Sequence, residues 1–226
     1  MEFEAELLVH FIAPLVNKTF TYDPLKDFVP IATVGSAGLM LVIAPEVPAA
    51  TLKEFVAYAK ANPGKLNYGS FGLGSNAHIE AEAFKQATGA DMTHVPFKGA
   101  AEAGPALLNG QIHVLFTSPN QVLAHIRSGR MRMLAITNPT RVALLPNTPA
   151  LAETVPGYDM RGWYGFVAPV AVSREIINLL NSEINRATSL PDVRDKLTQA
   201  GLDIPSESPD YFSDLIKQES AKFGKL

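Results

Sequence analysis

The chain has 226 residues, of which 47% are hydrophobic, and its 19 Lys and Arg against 22 Asp and Glu give a formal net charge of −3. A weakly charged chain without a basic stripe has little with which to hold a nucleic-acid backbone, so nucleic acid is not expected as a partner. No apolar stretch is long enough to cross a bilayer as a helix, and the lack of cysteine excludes disulfides and thiol chemistry.

Short apolar segments alternate with helical patterns along the chain. Strands are predicted at residues 39–44, 66–70, 92–97, 113–118, 131–137 and 163–168, because each segment is apolar or β-branched and bounded by Gly, Pro, Ser or Asn. Helices are predicted to begin at Thr51, Ser75, Ser173, Pro191 and Ser208. The alternation predicts an α/β fold with a mostly parallel sheet, whose strand-to-helix loops share one edge where a ligand is expected.

The most informative segment, residues 68–78, follows a predicted strand and opens a predicted helix. Its glycines allow the backbone to approach a ligand closely, and the helix start offers free N–H groups at the positive end of the helix dipole. These features favour a carboxylate or phosphate site. The candidate residues are Gly72, Gly74, Ser75 and Asn76. An ordinary glycine-rich turn capped by Ser75 is the alternative.

Known phosphate and nucleophile motifs do not fit this segment. A Walker A loop requires Gly-Lys-Ser or Gly-Lys-Thr, but Gly74 is followed directly by Ser75. A dinucleotide fingerprint is a weak match, with Ala77 at its last glycine position and no acidic residue at positions 93–95. The Gly-x-Ser-x-Gly pattern of a nucleophile elbow is also missing, because Tyr68 stands two residues before Ser70.

Two further strand-to-helix junctions are expected at the same edge. Lys98 lies beside the amides of Gly99 and Ala100, which suits an anion, although a solvated lysine in a turn is an equal alternative. Thr117 and Ser118 supply hydroxyl groups at the end of the next strand. Three such junctions together support a binding site more strongly than any one of them.

Catalytic and metal sites are not predicted. His78 and Glu82 share a helix face at i,i+4, but two ligands are too few for a metal ion. No Ser/His/Asp set or carboxylate pair can be placed together, so neither catalysis nor a cofactor is expected. The rival hypothesis is an enzyme that acts on a carboxylate or phosphate through Lys98, His78 or Ser75. Trp163, the only tryptophan, either lines a cleft or lies in a core.

Together these segments resemble the substrate-binding receptors of tripartite tricarboxylate transporters, also called the Bug family. The resemblance runs, in the family's order, from about His10 almost to the end of the chain. It is carried by residues 22–28, 72–75 with His78, 94–99, 108–111, Gly129 with 134–135, Arg141 with 145–146, 148–149 and Glu153, and 163–169.

This resemblance implies a type II periplasmic-binding-protein-like α/β fold with two lobes that close like a Venus flytrap. The first lobe would comprise residues 1–44 and 164–226, the second residues 45–163, with strands near 39–44 and 163–168 crossing between them. A small mono-, di- or tricarboxylate or an aromatic acid would be captured without catalysis, for a transporter in the membrane or for sensing. The second lobe would hold it through Gly72, Gly74 and Ser75, with Lys98, Gly99 and Ala100 beside them and Thr117 and Ser118 at the next strand end.

The beginning of the chain departs from the family pattern. Members open with a strand, a Pro/Gly-rich loop, a helix and a second loop, and Glu2 to Val9 match neither loop. The first lobe is therefore expected to be incomplete, which exposes a sheet edge and favours self-association. A truncated remnant that binds nothing is the alternative. The family implies a periplasmic location, whereas the acidic start lacks a secretory signal and predicts the cytoplasm for the chain as written.

Overall fold

The computed structural model describes residues 4–6, 21–142, 144–204 and 208–223. The chain forms two compact units, unit 1 from Met1–Ala37 with Gly162–Leu226 and unit 2 from Gly38–Arg161. The strands are β1 (Glu4–Glu6), β2 (Phe28–Ala37), β3 (Met40–Ile43), β4 (Asn67–Ser70), β5 (Thr93–Pro96), β6 (Val114–Thr117), β7 (Arg132–Ile136) and β8 (Gly162–Pro169). The helices are α1 (Leu52–Ala61), α2 (Asn76–Thr88), α3 (Ala100–Leu108), α4 (Pro119–Arg127), α5 (Arg174–Thr188), α6 (Pro191–Gln199) and α7 (Pro209–Phe223), with a 3₁₀ turn at Leu151–Glu153.

Unit 2 is built on a five-stranded sheet in the order β5-β4-β6-β3-β7. Strand β4 runs parallel to β5 and to β6, whereas β3 runs antiparallel to β6 and to β7. Four strands therefore point one way and β3 opposes them. The carboxyl ends of β5, β4 and β6 lie side by side at one edge of the sheet, and each continues directly into a helix.

Unit 1 has a three-stranded sheet in which β8 lies between β1 and β2, and both pairings are antiparallel. The predicted α/β fold is confirmed, but the strand directions are mixed rather than mostly parallel, because β1, β2 and β3 all run against their neighbours. Residues 38–44, which the family resemblance placed in the first lobe, lie in unit 2. They do so because β3 hydrogen-bonds there to β6 and β7.

Local sequence accounts for the helix ends. The Thr51 hydroxyl accepts the Glu54 N–H at 3.2 Å while the Glu54 carboxylate accepts the Thr51 N–H at 3.3 Å, a capping box that satisfies two otherwise unpaired donors at the start of α1. Ser75 caps α2, and Gly89 ends it with a φ of 70°, a left-handed conformation that glycine adopts without steric cost. The predicted starts at Thr51 and Ser75 are confirmed, as are those at Ser173, Pro191 and Ser208.

Three buried phenylalanines fix α2 against the sheet of unit 2. The Phe84 ring lies 6.1 Å from the Phe55 ring of α1 and 5.9 Å from the Phe116 ring of β6. All three side chains are fully buried, and aromatic pairs at these separations add to the stabilisation from burial alone. These contacts hold the second half of α2 against α1 and β6.

In unit 1, helices α5 and α7 pack on β2. Ile177 of α5 forms a core cluster with Ile31 and Ala168. The Phe212 ring of α7 meets Trp163 edge to face at 4.8 Å. Trp163 is 2% exposed, so of the two alternatives the core position is the one observed.

Arg141 and Glu153 tie together the connection that follows β7. The guanidinium donates to both carboxylate oxygens, at 2.8 and 2.9 Å. The Arg141 hydrogen bonds, joined by that from the Ala150 N–H, lower the pKa of Glu153 to about 2. We expect an NMR titration to find the Glu153 carboxyl still ionised at pH 3, and Arg141→Gln to return its pKa toward the ordinary value of about 4.3. An unchanged midpoint in the variant would contradict this pairing.

No helix in the described ranges is both long enough and apolar enough to span a bilayer. The family pattern places its ligand loops before His10, and of residues 2–9 the structure describes only 4–6, which form β1. Self-association through the first lobe stays a prediction.

Candidate functional site

A glycine turn, residues 71–75, connects β4 to α2 at the carboxyl edge of the unit 2 sheet. Gly72 and Gly74 have φ angles of 113° and 77°, a region that side chains strongly disfavour. The Ser75 hydroxyl donates to the Gly72 carbonyl at 2.8 Å and accepts the His78 N–H at 3.4 Å. The turn is thus closed on itself by the residue that caps the helix.

Several backbone donors of this turn are already used within the protein. The Gly72 N–H donates to Ser70 Oγ, the Gly74 N–H to His78 Nδ1 and the Ser75 N–H to the Gly72 carbonyl, all at 3.2 Å. Among the described residues, no acceptor is matched to the N–H groups of Leu73 and Asn76. The Phe71 N–H of the turn has no acceptor there either, so Phe71, Leu73 and the adjoining Asn76 provide the amides that remain for a ligand.

The junction after β5 lies directly beside the glycine turn. The Phe97 N–H donates to the Ser70 carbonyl at 3.0 Å, and a Cβ added to Gly72 would lie 3.8 Å from the Phe97 carbonyl oxygen. Lys98 is exposed, and Gly99 begins α3 with open space around its Cα. Lys98, Gly99 and Ala100 are therefore next to the turn, as the sequence predicts for strands that end at one edge.

Sequence reasoning missed an acidic residue at this junction. Glu102 Oε2 accepts the Lys98 N–H at 3.1 Å, so the start of α3 already has a carboxylate of the protein's own. The signal was present as an acidic residue in the first turn of a helix, a position where carboxylates are favoured. A ligand anion near Gly99 has to share this position with Glu102.

The third junction, after β6, offers a ligand fewer hydroxyl groups than its residue types predict. Thr117 is fully buried, and its hydroxyl donates to Gln121 Oε1 at 2.5 Å. The half-buried Ser118 begins α4 without a side-chain hydrogen bond to the helix start. Thr117 therefore acts within the protein, and Ser118 is the hydroxyl of this junction that is not committed to capping the helix.

Three rings form a stack beneath the glycine turn, which the sequence did not predict. The His94 ring of β5 lies 4.8 Å from the Tyr68 ring of β4 and 4.3 Å from the His78 ring of α2. The Tyr68 and His78 rings also contact each other, at 6.5 Å, so the three centroids form a triangle. The Tyr68 hydroxyl donates to Glu82 at 2.5 Å, and Lys85 Nζ lies 2.8 Å from the same carboxylate oxygen. Burial raises the pKa of Tyr68 and lowers those of both histidines.

His94 also contacts Ser70, and this pair has the residue types of a nucleophile and a base. Ser70 Oγ lies 2.6 Å from His94 Nε2, 3.1 Å from the Gly72 carbonyl and 3.2 Å from the Gly72 nitrogen. The hydroxyl has one proton, and both the Gly72 carbonyl and His94 Nε2 are within reach of it, so the direction of the Ser70–His94 hydrogen bond depends on the His94 tautomer. Ser70 is fully buried, so this pair anchors the turn and its oxygen is not presented to a substrate.

Among the described residues, no group of three or more His, Cys, Asp or Glu side chains has the arrangement of a metal site. His78 and Glu82, the pair on one helix face, each have other partners within the protein. His78 accepts the Gly74 N–H, and Glu82 is engaged with Tyr68 and Lys85.

Known proteins match this chain along most of its length. BugT of Bordetella pertussis (strain Tohama I) is 34% identical over 199 residues, which make up 88% of this chain and 61% of BugT. Two solved structures from Rhodopseudomonas palustris share the fold. Rpa4515 with adipate is 29% identical with a TM-score of 0.85 and covers 98% of this chain and 75% of its own. MatC (Rpa3494) with bound malate is 26% identical with a TM-score of 0.81, covering 98% and 77%.

The chain spans about two thirds of the length of the curated relatives it matches. The family model of the tripartite tricarboxylate transporter family receptor, TctC, matches residues 7–226. The predicted resemblance is thus confirmed by a family match over nearly the whole chain and by a shared periplasmic-binding-protein fold. The chain belongs to the tripartite tricarboxylate transporter receptor family, that of the Bug proteins.

Proposed function

We propose that this chain is a solute-binding receptor that captures a small dicarboxylate at the carboxyl edge of β5, β4 and β6, without catalysis. The observation that carries the proposal is the glycine turn, whose Leu73 and Asn76 N–H groups remain available beside the exposed Lys98. A carboxylate accepts hydrogen bonds and donates none, so a cluster of donors with one cation matches its chemistry. The related structures with adipate and malate support a dicarboxylate as the ligand class.

The proposed site comprises Gly72, Gly74, Ser75, Asn76, Lys98, Gly99, Ala100 and Ser118, with Thr117 as a buried support. Capture without catalysis is supported by the position of Ser70, the one serine held against a histidine ring in this region, because it is fully buried. Delivery of the ligand to a membrane transporter, in the periplasm, is part of the same proposal. The family is that of a transporter's receptor, and a solved structure that is 30% identical to this chain is that of a periplasmic transporter.

Charge reversal at the proposed site tests this function. Lys98→Glu is expected to weaken adipate or malate binding about threefold to tenfold, because it replaces an exposed attraction by a repulsion. Lys65→Glu is the matched control. Lys65 is also exposed but precedes β4, at the opposite end of the strand from the glycine turn, so its reversal should change affinity less than about twofold.

Isothermal titration calorimetry of the two variants and the unaltered chain gives the comparison. Equal weakening by both variants would show a general charge effect and would contradict the site. If the chain melts cooperatively yet gives no saturable heat with adipate, malate or other short dicarboxylates, the proposed function is wrong and the chain retains the fold without binding.

A further inference from the structure

His78 holds the glycine turn through a hydrogen bond that only a neutral imidazole can make. The Gly74 N–H points to His78 Nδ1 at 3.2 Å, so this nitrogen must be without a proton. Protonation of Nδ1 would make it a donor as well, and two N–H donors cannot hydrogen-bond to each other. The turn and the ring would then have to separate.

We propose that His78 is a positioning residue whose protonation releases the glycine turn, which makes the shape of this edge of unit 2 dependent on pH. The proposal rests on the contact with Gly74 and on the ring stack behind it. The His94 ring lies 4.3 Å from the His78 ring and is itself fixed through Ser70, so His78 has a rigid backing on the side of β5.

The groups that face His78 include one carboxylate, Glu82, whose charge favours a protonated ring and whose Oε1 accepts both of its hydrogen bonds. From β4 it faces Tyr68, from β5 His94, and on its own helix Glu82 and Lys85. Glu82 already accepts hydrogen bonds from the Tyr68 hydroxyl and from Lys85. Burial lowers the pKa of His78; the Glu82 charge opposes this shift and the Lys85 charge adds to it.

The direction of the pH effect follows from these facts. In a released turn the imidazole titrates near its ordinary pKa of about 6.5, whereas in the fixed turn its pKa is lower. At pH 7.5 and above, both forms are almost entirely neutral and the fixed turn is unaffected. As the pH falls below 6.5, the released form takes up a proton first, so the fixed turn loses population until the pKa of the fixed state has been passed.

An NMR titration of the ligand-free chain between pH 7.5 and 5.0 tests the proposal. The Gly74 amide resonance is expected to shift with the titration of His78 and its hydrogen exchange to accelerate at low pH relative to neighbouring amides. In His78→Asn the amide oxygen takes the position of Nδ1 and accepts the Gly74 N–H without titrating, so the transition should vanish. In His94→Gln, whose amide group can donate to Ser70 or accept from it, the transition should remain.

Two results would overturn the proposal. One is a Gly74 resonance in the unaltered chain that does not change over this range, and the other is a transition that persists in His78→Asn. Loss of the transition in His94→Gln with its retention in His78→Asn would assign the effect to His94 and would equally contradict a role for His78.

The consequence for binding rests on the proposed function. Since the turn sets the positions of the Leu73 and Asn76 N–H groups, adipate affinity relative to that of His78→Asn is expected to fall by up to about tenfold between pH 7.5 and 5.5. Adipate itself takes up protons as the pH falls, but this lowers the affinity of both proteins equally and therefore cancels in the ratio of their affinities. Absence of binding at every pH would refute the proposed function, and the titration of the ligand-free chain would still decide the role of His78.

Discussion

Replacing Phe212 by alanine is expected to lower the free energy of unfolding by about 3–5 kcal/mol. The Phe212 ring is fully buried, meets Trp163 at 4.8 Å and lies over the backbone of Gly165, where an added Cβ would come within 2.6 Å of Phe212 Cζ. Because Gly165 has no side chain to move into the vacated space, the cavity on β8 can close only by moving α7.

Urea unfolding followed by the fluorescence of Trp163, the only tryptophan, measures this effect where it occurs. Tyr211→Ala is the matched control, because it removes a neighbouring aromatic ring that is 49% exposed and should cost far less. An equal loss of stability in the two variants would show that Phe212 does not pack as described.

Replacing Gly38 by alanine is expected to cost about 2–4 kcal/mol. Gly38 donates to Asn138 Oδ1 at 3.0 Å, and Leu39 donates to Thr137 Oγ1 at 2.7 Å, both in a buried setting. A Cβ on Gly38 would lie 2.4 Å from Asn138 Oδ1 and 2.7 Å from the Asn138 backbone nitrogen. The Asn138 side chain can rotate away from this Cβ only by leaving the buried Gly38 N–H without its acceptor. A side-chain rotation does not move the Asn138 backbone nitrogen, so that contact would remain.

Gly104→Ala provides the contrasting control for this substitution. Gly104 lies inside α3, where an added Cβ meets no heavy atom within 4 Å apart from its chain neighbours and the backbone of its own helix. Alanine is the better helix former, but its Cβ would meet the ring of Pro105, so the two effects oppose each other and the free energy of unfolding should change by less than about 1 kcal/mol. Chemical denaturation followed by circular dichroism compares the two variants. A Gly38→Ala protein as stable as the unaltered chain would contradict the packing around Thr137 and Asn138.

Local signals were sufficient to predict much of the fold. The strands β3 to β8 all fall within or next to predicted segments, and the helix starts at Thr51 and Ser75 follow from their capping residues. Strand β2 was not predicted, because Pro30 and Gly35 interrupt its pattern. The pairing of β2 with β8 shifts register near both residues. The apolar pattern is broken at these irregularities, and the sequence therefore does not indicate one continuous strand.

The candidate site was predictable only in part, for a physical reason. A glycine turn before a helix indicates N–H donors, but which of them remain free depends on side chains brought in from other elements. The Gly74 N–H donates to His78, and the Lys98 N–H donates to Glu102. Ser70 and His94, 24 residues apart, meet only because β4 and β5 are paired in parallel with Ser70 opposite Pro96. No spacing within the sequence indicates such contacts.

The attachment of both ends of unit 2 to Thr137 has a consequence for the order of folding. The side-chain oxygen of Thr137 holds Leu39, and its carbonyl accepts the Met160 N–H at 3.5 Å, so the entry and exit of residues 38–161 meet at one residue. Strands β2 and β8 flank this long segment and face a large loop-closure entropy if they pair while it is unfolded. Once unit 2 has formed, residues 39 and 160 are held together at Thr137, so the loop that separates β2 from β8 is effectively short. Unit 2 is therefore expected to fold first, which lowers the entropic cost of pairing β2 with β8.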